Sequence, residues 1–243
     1  MSKKISTIGY KIPGFDNLEL GFSSKSSLMD SDILLIAPNL PYYERSSLGG
    51  GYHQGKVCYG ESGTFKLKED LAHWKKELTN SLNAGKKVFL MLSEKNDFLV
   101  DTGGRSYSGS GRNRNTTIEV APSSNYELLP TRIGNIHSAN GKEILFVGNS
   151  LFSNFSKSFK PNLEYKIYLE NIGNATPIFT GKDKTKILGA IYKVGASQLV
   201  VLPYLNYDEG EFTEYKKNKK GKKEEYWTKD AIRFGHMLTD CLI

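Results

Sequence analysis

Leu67, Leu71, Trp74, Leu78 and Leu82 recur at intervals of four, three, four and four residues. That spacing sets all five on one face of a single amphipathic helix. Thr64 is the expected N-cap, and Gly85 the expected residue just past the end. Residues 87–92 (KVFLML) follow at once as an apolar strand. Ahead of the helix, residues 32–37 (DILLIA) form a second short apolar run, stopped by Pro38. A continuous apolar run suits a strand buried on both faces of a parallel sheet. Strand, connection, helix and strand make a βαβ unit, which requires parallel pairing through a right-handed crossover.

The remaining pattern extends this unit. Residues 4–10 (KISTIGY) read as a first strand, and residues 12–29 as mostly loop, with Pro13-Gly14 and a serine cluster. Residues 38–64 read as a long connection. Further strands are expected at 142–147, 164–169, 177–180, 186–194 and 198–202, with a short helix over 149–159. Gly195-Ala196 makes a tight turn, so the strands beside it form a hairpin. Thr228 caps a final helix carrying Ala231, Phe234, Leu238 and Cys241 or Leu242 on one face. The expected fold is a single α/β domain over residues 1–243: a doubly wound, mostly parallel sheet with an antiparallel C-terminal hairpin.

Two segments interrupt the rhythm. Residues 94–130 form a Gly/Arg-rich excursion, with GGRSYSGSGRNRN at 103–115 holding three arginines and no acid. Residues 211–227 form a Lys-rich loop, with six lysines among four glutamates. The net charge of +7 favours anionic partners. The 38% hydrophobic content is enough for one large core. No apolar run approaches the roughly 18 residues of a membrane span, and the N-terminus has no apolar signal segment, so a cytoplasmic protein with no membrane partner is expected. Cys58 and Cys241 are isolated, and His53, His73, His137 and His236 have no metal-ligand spacing. No metal and no cofactor are expected.

The runs DILLIAP, LNAGKKVFLML and GAIYKVGASQLVVLP resemble, in order and spacing, class I glutamine amidotransferase-like domains. The resemblance covers roughly residues 1–100 and 140–243. It implies a flavodoxin-like α/β fold. In active members the strand matching residues 87–92 ends in a cysteine between glycines, and a late strand is followed by a histidine and a glutamate. Here the first strand runs into Ser93-Glu94-Lys95-Asn96, and the second into Pro203-Tyr204-Leu205-Asn206. Neither the catalytic cysteine nor the histidine is present, so the resemblance implies a relative without amidotransferase chemistry.

The candidate sites follow from strand ends and basic loops. Open α/β sheets bind ligands at the carboxyl ends of their strands, which selects the edge loops 38–64, 93–115 and 203–210. Ser93, Glu94, Lys95, Arg105, Tyr107, Arg112 and Arg114 are the candidate ligand-binding residues. Arginines fork onto phosphate, and tyrosine stacks on a base. The leading expectation is a non-catalytic ligand- or partner-binding subunit, a sensor or regulator within a larger bacterial system such as a defence locus, with a protein partner. The first alternative is nucleic-acid binding through the arginines and Lys216, Lys217, Lys219, Lys220, Lys222 and Lys223, against a plain solvated surface. The second is an enzyme acting on nucleotides around Ser93, Glu94 and Asp208-Glu209.

Overall fold

A computed structural model describes residues 3–14, 17–148, 164–203, 213–217, 223–227, 232, 235–236 and 238–240. It is a mixed α/β structure dominated by sheet. In chain order the first strands are β1 (Ile5–Ile8), β2 (Leu18–Leu20), β3 (Ile33–Ile36), β4 (Tyr52–His53) and β5 (Lys56–Tyr59). Helix α1 (Glu61–Asn83) leads to β6 (Lys87–Met91), and then to β7 (Asp97–Ser108) and β8 (Asn115–Ser124). The later strands are β9 (Asn135–Lys142), β10 (Ile144–Phe146), β11 (Glu164–Glu170), β12 (Thr176–Gly181), β13 (Ile187–Val194) and β14 (Ser197–Leu202). β15 (Thr213–Lys217) and β16 (Lys223–Trp227) pair with each other.

The large sheet runs β10-β12-β13-β14-β6-β3-β1-β2, with β11 on β13 and β9 on β11. Neighbours from β14 to β2 are parallel, and the β13–β14 pair and those beyond it are antiparallel. The βαβ unit is present: β3 and β6 pair in parallel, joined through α1. Their unbroken apolar sequence has a simple cause, because both faces are covered. Leu34, Ile36, Val88, Leu90, Leu199 and Val201 pack with Leu67, Leu71, Trp74, Leu78 and Leu82 of α1. The alternating residues Ile33, Leu35, Phe89, Met91, Val200 and Leu202 face a second cluster that includes Leu238. The β13–β14 hairpin turns at Gly195 with φ +61°, joining Val194 to Ser197 through the expected two-residue turn.

Four expectations are corrected. The helix starts at Glu61, with Gly60 rather than Thr64 at the N-cap. Gly63, inside the helix, is a packing residue: a Cβ there would lie 2.1 Å from the Glu44 carbonyl oxygen. Thr64 instead accepts the Asp101 N–H at 3.0 Å and donates to the Tyr59 carbonyl, tying the helix to β7. Second, the 94–130 excursion is a long β7–β8 hairpin whose base is core. Phe98, Leu99 and Val100 are buried, and β7 also pairs in parallel with β5.

Third, residues 38–64 and 12–29 contain short strands, β4, β5 and β2, that their turn residues conceal. Fourth, the 142–147 run is divided by Glu143 at φ +66°. Its first part belongs to polar β9, which is held by antiparallel pairing with β11 rather than by any apolar alternation. The expected helix over 149–159 lies outside the described residues, as do Thr228, Ala231, Phe234, Cys241 and Leu242. No helix among the described residues is long and apolar enough to cross a membrane.

Candidate ligand-binding cleft

β6 ends at the carboxyl edge of the sheet, and the chain fills that edge itself. The Tyr126 hydroxyl accepts the Ser93 N–H at 2.9 Å and donates to the Ser93 carbonyl at 2.7 Å. Asn125 is fully buried. Its amide nitrogen donates to the carbonyls of Pro38 and Glu94, and its oxygen accepts the Asn96 N–H. Both side chains come from a short 3-10 helix, Asn125–Leu128, that follows β8. A buried backbone group without a partner is costly, so these two residues complete the turn 93–96 as a structural clamp. Ser93 is 2% exposed, with its hydroxyl buried and unpartnered among the described residues. A nucleophile elbow projects its side chain into the site, whereas Ser93 turns its hydroxyl inward.

Beside the clamp lies an open cleft of about 600 Å³. Its polar wall holds Lys75 from α1, Lys95 from the β6–β7 turn, Glu127 and Arg132 from the chain between β8 and β9, and His137 from β9. Tyr126, Leu129, Ile133 and Ile136 supply apolar surface. The Arg132 guanidinium donates to the Asn135 side chain at 2.9 Å. The His137 ring stacks on Tyr168, with centroids 5.3 Å apart, and its Nε2 lies 3.4 Å from a Glu170 carboxylate oxygen. Lys95 is paired with Asp97 at 2.7 Å, yet both remain well exposed. Gly134, at φ +92°, lets the connection pass β11, because a Cβ would lie 2.4 Å from the Glu170 carbonyl oxygen. Lys75, Lys95 and Arg132 line the cleft beside Glu127, with apolar surface between them, a lining that suits a small anion carrying an apolar or aromatic part.

The sequence candidates divide among separate places. Lys95 lines the cleft and Ser93 supports it, whereas Glu94 is exposed beside it. Arg105 is committed to a structural pair, its guanidinium forking onto Asp101 at 2.7 and 2.9 Å, with Glu61 at 3.7 Å. Burial opposes ionisation of the Asp101 carboxyl. The Arg105 and Gly103 hydrogen bonds outweigh it and hold the carboxyl below its ordinary range. Tyr107, Arg112 and Arg114 sit at the far end of the hairpin, roughly 30 Å along β8 from Ser124 at the cleft.

Of the lysine candidates, Lys216, Lys217 and Lys223 fall on β15 and β16, with Lys216 opposite Glu224 and Lys217 opposite Lys223 in the register. Lys219, Lys220 and Lys222, like Asp208 and Glu209 and most of the 203–210 edge loop, lie outside the described residues. Sequence reasoning passed over Lys75 and Arg132 and weighed His137 only as a metal ligand; the three are scattered over 63 positions in a chain rich in lysine. The one local signal was the Gly134 turn just after an arginine. No protein-family model matches the chain, and comparison with characterised proteins finds no match.

Proposed function

We propose that this chain is a non-catalytic ligand-binding domain, built like a glutamine amidotransferase-like domain without its chemistry. In this reading it senses a small phosphorylated ligand of the nucleotide type and passes that signal to a protein partner in a larger bacterial system, such as a defence locus. The sheet is then doubly wound, with the helical residues 232, 235–236 and 238–240 forming the layer opposite α1. The observation that carries the reading is the cleft. Lys75, Lys95 and Arg132 converge beside the carboxyl edge of the parallel strands, where α/β sheets hold ligands. The inward-turned Ser93 and the absence of a cysteine at that strand end favour binding over turnover.

Isothermal titration with ATP and with inorganic phosphate tests the proposal, using wild type, Lys95→Ala and Arg132→Ala. Saturable binding of ATP that weakens about tenfold in each variant, as loss of one charge-assisted contact implies, supports it. Absence of heat with either probe at millimolar concentration rejects it.

A further inference from the structure

We propose that the outer part of the β7–β8 hairpin is an arm that docks on duplex DNA. Residues 106–117 are exposed without exception. Strand pairing joins Ser106 with Thr117, Tyr107 with Thr116 and Ser108 with Asn115. A two-stranded ribbon with no apolar face gains little from its own folding, and the paired part of this one reaches about 10 Å beyond Arg105 at the strand rise.

Its end is nevertheless ordered in detail. Gly109, at φ +80°, closes the turn so tightly that a Cβ would lie 2.3 Å from the Asn113 carbonyl oxygen. The Arg114 guanidinium sits 3.8 Å over the Tyr107 ring, a cation–π contact that ties the charge to the ribbon. Arg112 occupies the short helical turn at the tip.

The charge is one-sided. No carboxylate occurs between Asp101 and Glu119. Asp101 and Glu61 neutralise Arg105 at the base of the arm, which leaves Arg112 and Arg114 as its forward cations. Around them stand Ser106, Ser108, Asn113, Asn115, Thr116 and Thr117, short side chains that hydrogen-bond to phosphate oxygens and base edges. Strands about 4.8 Å apart, with side chains added, make a ribbon of roughly 10 Å. That width enters the major groove of B-form DNA, about 12 Å across, but not the narrow major groove of A-form RNA. The arm shares no residue with the cleft, so either proposal can fail alone.

The test is fluorescence anisotropy of the full chain with a labelled mixed-sequence DNA duplex, titrated across salt. A labelled single strand and an RNA duplex of the same sequence are measured beside it. Expected is duplex DNA binding whose log–log salt slope falls in magnitude by about 2 in Arg112→Ala/Arg114→Ala, one phosphate contact per arginine. The same binding is lost when residues 106–117 are replaced by a two-residue turn, and is kept in the cleft variant Arg132→Ala. Circular dichroism of each variant establishes that it is folded. The proposal is overturned by no binding at low salt, by an unchanged slope in the double variant, or by preference for single-stranded DNA or duplex RNA.

Discussion

The Tyr126 hydroxyl bridges the N–H and the carbonyl of Ser93, accepting from one at 2.9 Å and donating to the other at 2.7 Å. One phenol thus takes the place of a strand partner at the edge where β6 stops. Tyr126→Phe keeps the ring and strands both backbone groups. It is expected to cost about 1–3 kcal/mol, read as a lower urea midpoint with an unchanged m-value.

Asn125 serves the same turn with three hydrogen bonds to Pro38, Glu94 and Asn96. Asn125→Ala leaves two carbonyls and an N–H in need of partners. A loss of about 2–4 kcal/mol is expected, more than for Tyr126→Phe, because the site is fully buried and admits water poorly. Equal midpoints for the two variants would count against this ordering.

The Asp101–Arg105 pair should leave a mark on acid stability. Its carboxyl is held below the ordinary carboxylate value in the folded state. Its stabilising contribution is therefore complete above the unfolded value of about 4, and is lost as pH falls through the lower folded-state value. Measured by urea melts, the gap between wild type and Asp101→Asn should be constant above about pH 5 and should narrow on further acidification.

Trp74 is fully buried, and its indole N–H donates to the Phe22 carbonyl at 2.5 Å. Trp74→Ala opens a cavity between α1 and the sheet and frees that carbonyl. A destabilisation of about 3–5 kcal/mol is expected. By contrast, replacing residues 106–117 with a short turn should change stability by no more than about 0.5 kcal/mol, since every residue removed is exposed. Differential scanning calorimetry of the two variants side by side checks both statements.

The βαβ core was legible in the residues because its causes are local. The leucine spacing of α1, the apolar runs of β3 and β6, the Gly85 stop and the Gly195 turn each follow from backbone periodicity and from burial on both sheet faces. Lys95 was legible as an edge residue for the same reason, since it follows directly from the end of a buried strand. Elsewhere the deciding contact lay far along the chain. Gly63 lies inside α1 because Glu44 crosses it, and β9 has no strand pattern until β11 pairs with it. Residues 94–130 look like loose chain because their glycines and serines conceal a ladder made with their own return strand.

Periodicity thus determined the central strands, the long helix and their order. Only the tertiary structure decided the site. It locked Ser93 under Tyr126, spent Arg105 on Asp101, gathered Lys75, Lys95 and Arg132 into one cleft, and carried Arg112 and Arg114 away on an arm. The physical reason is that periodicity reports which side of an element is buried, whereas a site is made by side chains on different elements. Their convergence depends on loop paths and strand register, which no local pattern encodes.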